Sequence, residues 1–302
     1  MRNRTLGLVL LGVIAAVDLI LIVLAMRPDP KAAVAVANDK PAVYTPAAAT
    51  PGGKPTPQAA TAQQISVSLG EGPTALAALP GTCAAGGAKV LLSTDNGANW
   101  KTLEGPDAVV PRVNVTGAGA GFAIGAPTGC ADPQLFRGAD ELATWGAGVP
   151  AADTWFLLPT SPAQINGPAG TKASPCGSVA AIGVAPSAGA TATTLCGDGR
   201  IFQTDNGGAD WAAVGQLPAP HAIAGTPGEN LIALAGAEGC AGLAAFTGAD
   251  GGATWTKTAC LAGLSTSGPV GIAILDTTAM AVDASGKTFL STDAGKTFTA
   301  VA

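Results

Sequence analysis

A short repeated segment restricts the fold of this chain more than any other feature of its sequence. The segment STDNGANW at 93–100 recurs as STDAGKTF at 291–298 and, with the same spacing of Asp, Gly and Trp, as GADGGATW at 248–255. Two weaker copies are QTDNGGADW at 203–211, with one extra residue before its Trp, and GADELATW at 138–145, with Leu in place of Gly. Each copy follows a short apolar stretch, and Asp-x-Gly between a strand and an aromatic residue indicates a hairpin turn. The copies therefore predict an all-β domain of repeated hairpins.

Each residue type in these segments has an expected structural role. The Asp accepts hydrogen bonds from turn amides, the Gly takes the left-handed backbone conformation, and the aromatic ring packs back over the turn. The residues assigned to these roles are Asp95, Gly97, Trp100, Asp140, Trp145, Asp205, Gly207, Trp211, Asp250, Gly252, Trp255, Asp293, Gly295 and Phe298.

The pattern S-x-D-x-G-x-x-W resembles the Asp-box, or BNR, repeat, and the resemblance covers roughly residues 66–302. That family folds as a β-propeller of four-stranded blades, with the box on the hairpin between the outer strands. It includes sialidases, sortilin-like receptors and the photosystem II stability/assembly factors. The resemblance therefore implies a β-propeller in this chain.

The spacing of the five segments leaves the number of blades open between five and six. Their aspartates stand at 95, 140, 205, 250 and 293, and only the interval from 140 to 205 is longer than the roughly 40–50 residues of one blade. Five blades with an insertion near 150–175 explain this most simply, and a sixth blade without a box in that interval is the alternative. We expect a strand from about Ile65–Leu69 to close the ring by pairing with the last blade.

The first residues predict a membrane anchor. Thr5 to Met26 is a nearly unbroken apolar run, long enough for a helix to cross a bilayer, and Arg2 and Arg4 before it favour a cytoplasmic N-terminus. A cleaved signal peptide is the alternative, with an Ala-x-Ala site at 35–37, although its apolar region is usually shorter. Asp18 inside the run is costly in a bilayer, which suggests either a membrane partner or a tolerated protonated acid.

These features divide the chain into three parts. Residues 1–27 are the transmembrane anchor, 28–64 a Pro/Ala/Thr-rich linker, and 65–302 the propeller. Proline favours extended polyproline II, so the linker holds the propeller away from the membrane. The predicted location is the cell membrane, with the propeller extracytoplasmic. The abundance of Ala and Gly suggests a bacterial source.

Six cysteines, all beyond the linker, imply disulfides in an exported domain. Cys240 and Cys260 flank the hairpin around Asp250, and Cys176 and Cys196 bracket another predicted strand pair. The remaining pair, Cys83 and Cys130, occupies corresponding parts of adjacent blades. A metal site is disfavoured because the chain has no C-x-x-C motif and a single histidine, His221.

The charged residues argue against nucleic-acid binding and against sialidase chemistry. The net charge is −5, whereas a phosphate-binding surface needs clustered Lys and Arg. Arg112, Arg137 and Arg200 could supply the three arginines of a sialidase, but the nucleophilic tyrosine is missing because Tyr44 lies in the linker.

The sequence therefore favours a non-enzymatic scaffold or assembly module without a cofactor or metal. Its expected partner is another exported or membrane protein, with Asp18, Trp155 and Phe156 as candidate contacts. The alternative function is a carbohydrate-active propeller, either a sialidase-like glycosidase or a lectin-like protein, at the cell surface. An Arg- and carboxylate-lined central channel would favour that alternative.

Overall fold

A computed structural model describes residues 64–184, 189–225 and 230–301, together with the backbone of strand β1 (Val43–Tyr44). The predicted transmembrane run, including Asp18, lies outside these residues, as does most of the predicted linker. In the part of the chain that is described, no helix has the length and apolar character needed to cross a membrane.

The described chain forms six antiparallel sheets, the blades of a β-propeller. Blade 1 contains β2 (Ser66–Leu69), β3 (Ala75–Leu79), β4 (Lys89–Ser93) and β5 (Lys101–Leu103). Blade 2 contains β6 (Val109–Gly117), β7 (Ala120–Ala126), β8 (Gln134–Ala139), β9 (Thr144–Trp145) and β10 (Val149–Pro150). Blade 3 contains β11 (Phe156–Leu157), β12 (Gln164–Gly167) and β13 (Gly170–Ala173). In blade 2, β9 and β10 both pair with β8 and together form the outer strand.

Blades 4 to 6 each contain four consecutive strands. Blade 4 contains β14 (Val179–Gly183), β15 (Ala192–Cys196), β16 (Arg200–Thr204) and β17 (Ala212–Gln216). Blade 5 contains β18 (Pro220–Ala224), β19 (Leu231–Gly236), β20 (Gly242–Ala249) and β21 (Thr254–Ala262), with the 3₁₀ turn η1 (Asp250–Gly252) before β21. Blade 6 contains β22 (Val270–Leu275), β23 (Thr278–Asp283), β24 (Thr288–Ser291) and β25 (Thr299–Ala300). Strand β1, within the predicted linker, pairs with the outer edge of β21.

Six blades, and not five, account for the long interval between the second and third box segments. Blade 3 lies within 150–175, where the five-blade interpretation had placed an insertion. It is the smallest blade, with three strands and no box segment. The alternative of a sixth, box-less blade is confirmed.

The expected closure of the ring is wrong in its strand pairing. Strand β2 is the inner strand of blade 1 and does not add to the last blade, whose four strands all come from its own stretch of chain. Contact between β2 and β22 closes the ring, with one main-chain hydrogen bond of 3.1 Å from Ile65 N to Val270 O. The ring is thus closed by packing between the inner strands of the first and last blades, and not by a strand from 65–69 that joins the sheet of the last blade.

The hydrophobic core lies mainly between neighbouring blades. One cluster joins blades 5 and 6 through Ile232, Leu243 and Ile272, and another joins blades 1 and 2 through Leu76 and Val113. Many of the buried side chains are alanines, whose small volume lets adjacent sheets pack closely. The Ala-rich composition of the strands therefore suits the close packing of the blades.

The box segments of blades 1 and 6 form the same turn. In blade 1, the Ser93 hydroxyl donates to Asp95 Oδ1 and accepts from the buried Gly97 amide, both at 2.8 Å. The Asn99 amide donates to Asp95 Oδ1 at 2.9 Å. Ser291, Asp293, Gly295 and Thr297 repeat these contacts in blade 6. The expected Asp–amide bonds are present, and the serine satisfies the glycine amide.

The box of blade 4 is in a different register from the one predicted. Thr204 takes the role of the serine, since its hydroxyl donates to Asn206 Oδ1 at 2.9 Å and accepts from Gly208 N at 3.1 Å. Asn206 takes the role of the aspartate by accepting from the Asp210 amide at 3.0 Å. The predicted Asp205 and Gly207 lie one position too early. No residue is inserted before Trp211.

The glycine position of every box has a left-handed backbone. The φ angles are 82° at Gly97, 89° at Gly208, 91° at Gly252 and 81° at Gly295. Blade 2 places Leu142 there, with φ 69° and a fully buried side chain. An L-residue is strained in this region, so burial of the Leu142 side chain offsets the strain.

The aromatic residues of the boxes pack against the preceding blade. Trp100 Nε1 donates to Thr288 Oγ1 of blade 6 at 2.9 Å, and Trp145 Nε1 donates to the Glu104 carbonyl of blade 1 at 2.9 Å. Trp211 meets Trp155 of blade 3 edge-on, with ring centroids 6.0 Å apart. The boxes therefore stabilise the contacts between blades as well as the turns.

Candidate functional site

The three predicted cysteine pairs lie at disulfide distance. The Cα–Cα distances are 5.1 Å for Cys83–Cys130, 5.7 Å for Cys176–Cys196 and 5.5 Å for Cys240–Cys260. The first joins blades 1 and 2, the second links β15 to the loop before β14, and the third lies within blade 5. Three such pairs are typical of a protein in an oxidising, extracytoplasmic compartment.

The inner strands of all six blades surround a central cavity of about 80 Å³. This volume holds about five water molecules or one small organic anion. Valine, isoleucine, leucine, alanine and glycine supply most of its lining residues, while polar and apolar atoms share the exposed wall about equally. The polar residues of the wall are Gln64, Ser66, Ser68, Arg112 and Asn114.

Two serines of the wall bind the neighbouring blade. Ser66 Oγ accepts from Val113 N at 3.0 Å, and Ser68 Oγ accepts from Val115 N at 2.9 Å and donates to Asn114 Oδ1 at 3.2 Å. These bonds connect β2 to β6, so they hold blades 1 and 2 together at the channel. Most of the hydrogen-bonding capacity of these serines is used in this way.

Gln64 makes a similar link between blades 4 and 5. Its Oε1 accepts from Ile182 N at 3.2 Å, and its Nε2 lies 3.5 Å from the Ile223 carbonyl oxygen. Gln64 directly precedes blade 1, yet these partners belong to the blades on the far side of the ring. The side chain of Gln64 therefore reaches across the central channel to the far side of the ring.

Arg112 is the one charged residue among the described residues that line the cavity. Its side chain is 9% exposed. Nη1 donates to the Trp155 carbonyl of blade 3 at 2.6 Å, and the guanidinium lies 5.6 Å from the Phe122 ring centroid. Burial lowers the pKa of Arg112 to about 10, so the group stays charged at neutral pH. A β-bulge between Val109 and Arg112 alters the pleat of β6, which is a common way to re-aim a side chain.

The arginines considered for a sialidase-like site do not converge. Arg137 is exposed on β8, away from the cavity. Arg200 is also exposed and forms an ion pair of 2.8 Å with Asp198. No carboxylate belongs to the cavity wall within the described ranges. The channel thus has neither a cluster of arginines nor a pair of acids there.

Trp155 and Phe156, expected as partner contacts, are buried. Their side chains are 1% and 4% exposed, so neither offers an open surface to a protein. The Trp155 indole donates to the Gly189 carbonyl at 3.0 Å and packs between blades 3 and 4, while Phe156 lines the cavity. Both are core residues of the blade without a box, which corrects their assignment.

His221 also belongs to the framework of the ring. It lies half-buried on β18, and burial lowers its pKa. Across the described ranges, no group of three or more His, Cys, Asp or Glu is arranged to hold a metal ion.

The sequence prediction did not identify Gln64 and Arg112 as channel residues. For Arg112 a signal was present, because it interrupts the apolar strand VVPRVNV at 109–115. For Gln64 none was present, because its partners are more than a hundred residues away.

No protein-family model and no curated protein matches this chain. Solved structures similar to it include YCF48 bound to D1 peptide (16% identity, TM-score 0.32, covering 78% of this chain and 65% of that one). Others are YCF48 from Cyanidioschyzon merolae (17%, 0.29, 78% and 70%) and the GH74 xyloglucanase from Xanthomonas campestris (16%, 0.32, 78% and 38%). The chain thus spans between about two fifths and about two thirds of the length of these proteins. At such identities and TM-scores, they assign no function to it.

Proposed function

We propose that this chain is a single-pass membrane protein whose extracytoplasmic β-propeller binds another exported or membrane protein and catalyses no reaction. The lining of the central channel is the observation that carries the proposal. Among the described residues it has one cation, amide and hydroxyl groups, and apolar residues or glycine at the other positions. General acid–base or glycoside chemistry needs a pair of converging acidic groups, so this lining supports binding over catalysis.

The proposed location is supported by the cysteines and the N-terminal sequence together. The six cysteines form three pairs at disulfide distance, which favours an oxidising compartment. The apolar run from Thr5 to Met26 is long enough to carry the propeller there while remaining in the membrane.

Replacement of residues 1–27 by a cleavable signal peptide tests the anchor. We expect the full chain to stay in the membrane pellet after alkaline carbonate washing. The variant with the cleavable signal peptide should appear in the soluble exported fraction. An N-terminus of the mature full chain at or near residue 38 would instead establish cleavage and contradict the anchor.

Purification from native membranes in mild detergent tests the binding function. The full chain with a C-terminal affinity tag should elute as a complex of defined stoichiometry, larger than its own monomer, by size-exclusion chromatography with light scattering. The Asp18→Leu variant separates a contact within the membrane from a contact at the propeller. A monomer for both the natural chain and Asp18→Leu would contradict the proposal.

A hydrolysis assay tests the alternative function. Purified full chain should release no chromophore from a panel of aryl glycosides, sialosides included. Turnover that persists through purification and disappears in Arg112→Gln would assign the channel to an enzyme.

A further inference from the structure

We propose that Arg112 forms a binding site for a carboxylate group in the central channel of the propeller. This inference rests on the proposed binding function and names the chemistry that the channel recognises. Its basis is a buried guanidinium at a cavity large enough to admit a ligand.

The environment of Arg112 satisfies only a small part of its bonding capacity. A guanidinium carries five N–H donors and a charge that cannot be lost at physiological pH. One donor is accepted by the Trp155 carbonyl, and the Phe122 ring contributes a cation–π contact. The remaining donors have no acceptor among the described residues and stay accessible to water, and no carboxylate of the cavity wall balances the charge. Arg200, by contrast, has an ion-pair partner although it lies on the surface.

A purely structural role accounts for Arg112 less well. The bond to the Trp155 carbonyl joins blade 2 to blade 3, and a neutral donor would make that bond without the cost of burying a charge. The other contacts between inner strands at the cavity do use neutral groups, namely Ser66, Ser68 and Gln64. A charge at this single position therefore indicates a ligand of opposite charge.

The geometry favours a carboxylate over a phosphate. A carboxylate matches the planar fork of one arginine and carries one charge, so a single guanidinium neutralises it. A phosphate carries more charge, and the other polar wall groups, two hydroxyls and two amides, are largely engaged with the backbone or each other. The cavity of about 80 Å³ is large enough for a group the size of acetate.

Arg112 is also preorganised for such a ligand. The Trp155 carbonyl and the Phe122 ring hold the guanidinium in place, so binding costs little side-chain entropy. The carboxylate comes either from a small free acid or from the end or an acidic side chain of a protein partner. The two sources share the same chemistry at Arg112.

Titration of the isotopically labelled full chain in detergent, followed by the arginine Nε–Hε signals, tests the site directly in the natural protein. The signal that is absent from the Arg112→Lys spectrum belongs to Arg112. We expect sodium acetate at constant ionic strength to shift this signal saturably, whereas sodium chloride leaves it in place. Failure of the Arg112 signal to move up to a tenth molar acetate, or the same movement with chloride, would overturn the proposal.

Three peptides distinguish the source of the carboxylate. Trialanine has a free C-terminal carboxylate, trialanine amide lacks it, and N-acetyl-aspartate amide offers a side-chain carboxylate only. Binding of trialanine at least tenfold tighter than acetate, with no effect of the amide, assigns a chain terminus. Tighter binding of the aspartate derivative assigns a side chain, and acetate as the tightest of the probes assigns a small free acid.

Variants connect this site to the proposed function without confusing the two. In titrations followed by the backbone amide signals of the channel strands, Arg112→Gln should weaken acetate binding at least tenfold, while Arg137→Gln, which changes an exposed arginine of the same blade, should leave it unchanged. Equal weakening in both would overturn the assignment to Arg112. A native complex that survives in Arg112→Gln, together with loss of acetate binding, would place the partner elsewhere and leave the protein-binding function intact.

Discussion

The glycine of the blade 1 box offers the most direct test of how the repeated turns stabilise the ring. Gly97 has φ 82°, and a Cβ atom placed there would lie 2.6 Å from Thr288 Cγ2 of blade 6. Gly97→Ala therefore introduces backbone strain of about 1–2 kcal/mol. Overpacking against a β-branched side chain adds about 1–3 kcal/mol. We expect a total loss of roughly 2–5 kcal/mol in the free energy of unfolding.

A double-mutant cycle separates the two causes. Thr288→Ser removes the clashing methyl group but keeps the hydroxyl that accepts from Trp100, so alone it should cost about 0.5–1.5 kcal/mol. Combined with Gly97→Ala it should restore about 1–2 kcal/mol relative to the sum of the single variants, because the clash is gone while the backbone strain remains.

Urea unfolding of the full chain in detergent, with disulfides intact and tryptophan fluorescence as the signal, measures these free energies. The matched control is Gly117→Ala, where φ is not positive and no atom lies within 4 Å of the added Cβ. It should change stability by less than about 0.5 kcal/mol. If Gly97→Ala costs no more than this control, the box glycine is not required. If the double-mutant cycle is additive, the contact with Thr288 of blade 6 does not contribute to the loss of stability in Gly97→Ala.

Further expectations concern charge, hydrogen bonding and disulfides. The amide and hydroxyl of Thr297 and the hydroxyl of Ser291 lower the pKa of Asp293 to about 2, so its contribution to stability is complete above pH ~4 and is lost as the pH falls toward 2. Asp293→Asn should flatten that part of the stability profile, measured as urea midpoints at pH 5, 3.5 and 2.5, and an unchanged slope would contradict the assignment. Ser93→Ala leaves the buried Gly97 amide without its acceptor and should cost about 1–3 kcal/mol, whereas removal of the exposed Thr144 hydroxyl by Thr144→Val should cost less than 1 kcal/mol. Replacing both cysteines of Cys83–Cys130 by alanine should lower the free energy of unfolding by about 4 kcal/mol, and replacing both cysteines of Cys240–Cys260 should lower it by about 3 kcal/mol, because the first disulfide closes the longer loop. A larger drop in the urea midpoint for the second pair would count against loop closure as the cause.

The box segments show how far local patterns can predict this fold. The Asp-to-aromatic spacing identified five hairpins because the side-chain hydrogen bonds that define the turn join residues within eight positions of one another. The register predicted for 203–211 was wrong because the pattern was matched by residue type alone. Asp205 satisfied the pattern by residue type, but the hydrogen bonds depend on which side chain can accept the amide at i+4, and Asn206 is in that position. The amide oxygen of Asn206 accepts this bond at 3.0 Å in place of a carboxylate.

Blade 3 and the closure of the ring could not be settled in the same way. The strands of blade 3 are two to four residues long and carry no box, so their sequences contain no periodic signal. Their stability comes from neighbouring blades, through the Trp155–Trp211 contact and the Arg112 bond to the Trp155 carbonyl. The disulfides, by contrast, were predictable because hairpin register places the cysteines of two of the three pairs opposite each other or nearby, which leaves one pair for the last bond.

The candidate site also depends on contacts that local sequence cannot specify. Arg112 lies on an otherwise apolar strand, which marks it as unusual, but its meaning comes from the groups around it: a blade 3 carbonyl, a blade 2 ring, and a wall without an acid among the described residues. A buried arginine with a carboxylate beside it would be a closed structural pair. Arg112 instead lies beside a cavity, and in the proposed site a ligand supplies the carboxylate. The ring of six inner strands creates that cavity. In this propeller the inner strands of the six blades form the wall, and the proposed binding rests on Arg112, the one charged residue among the described residues of that wall.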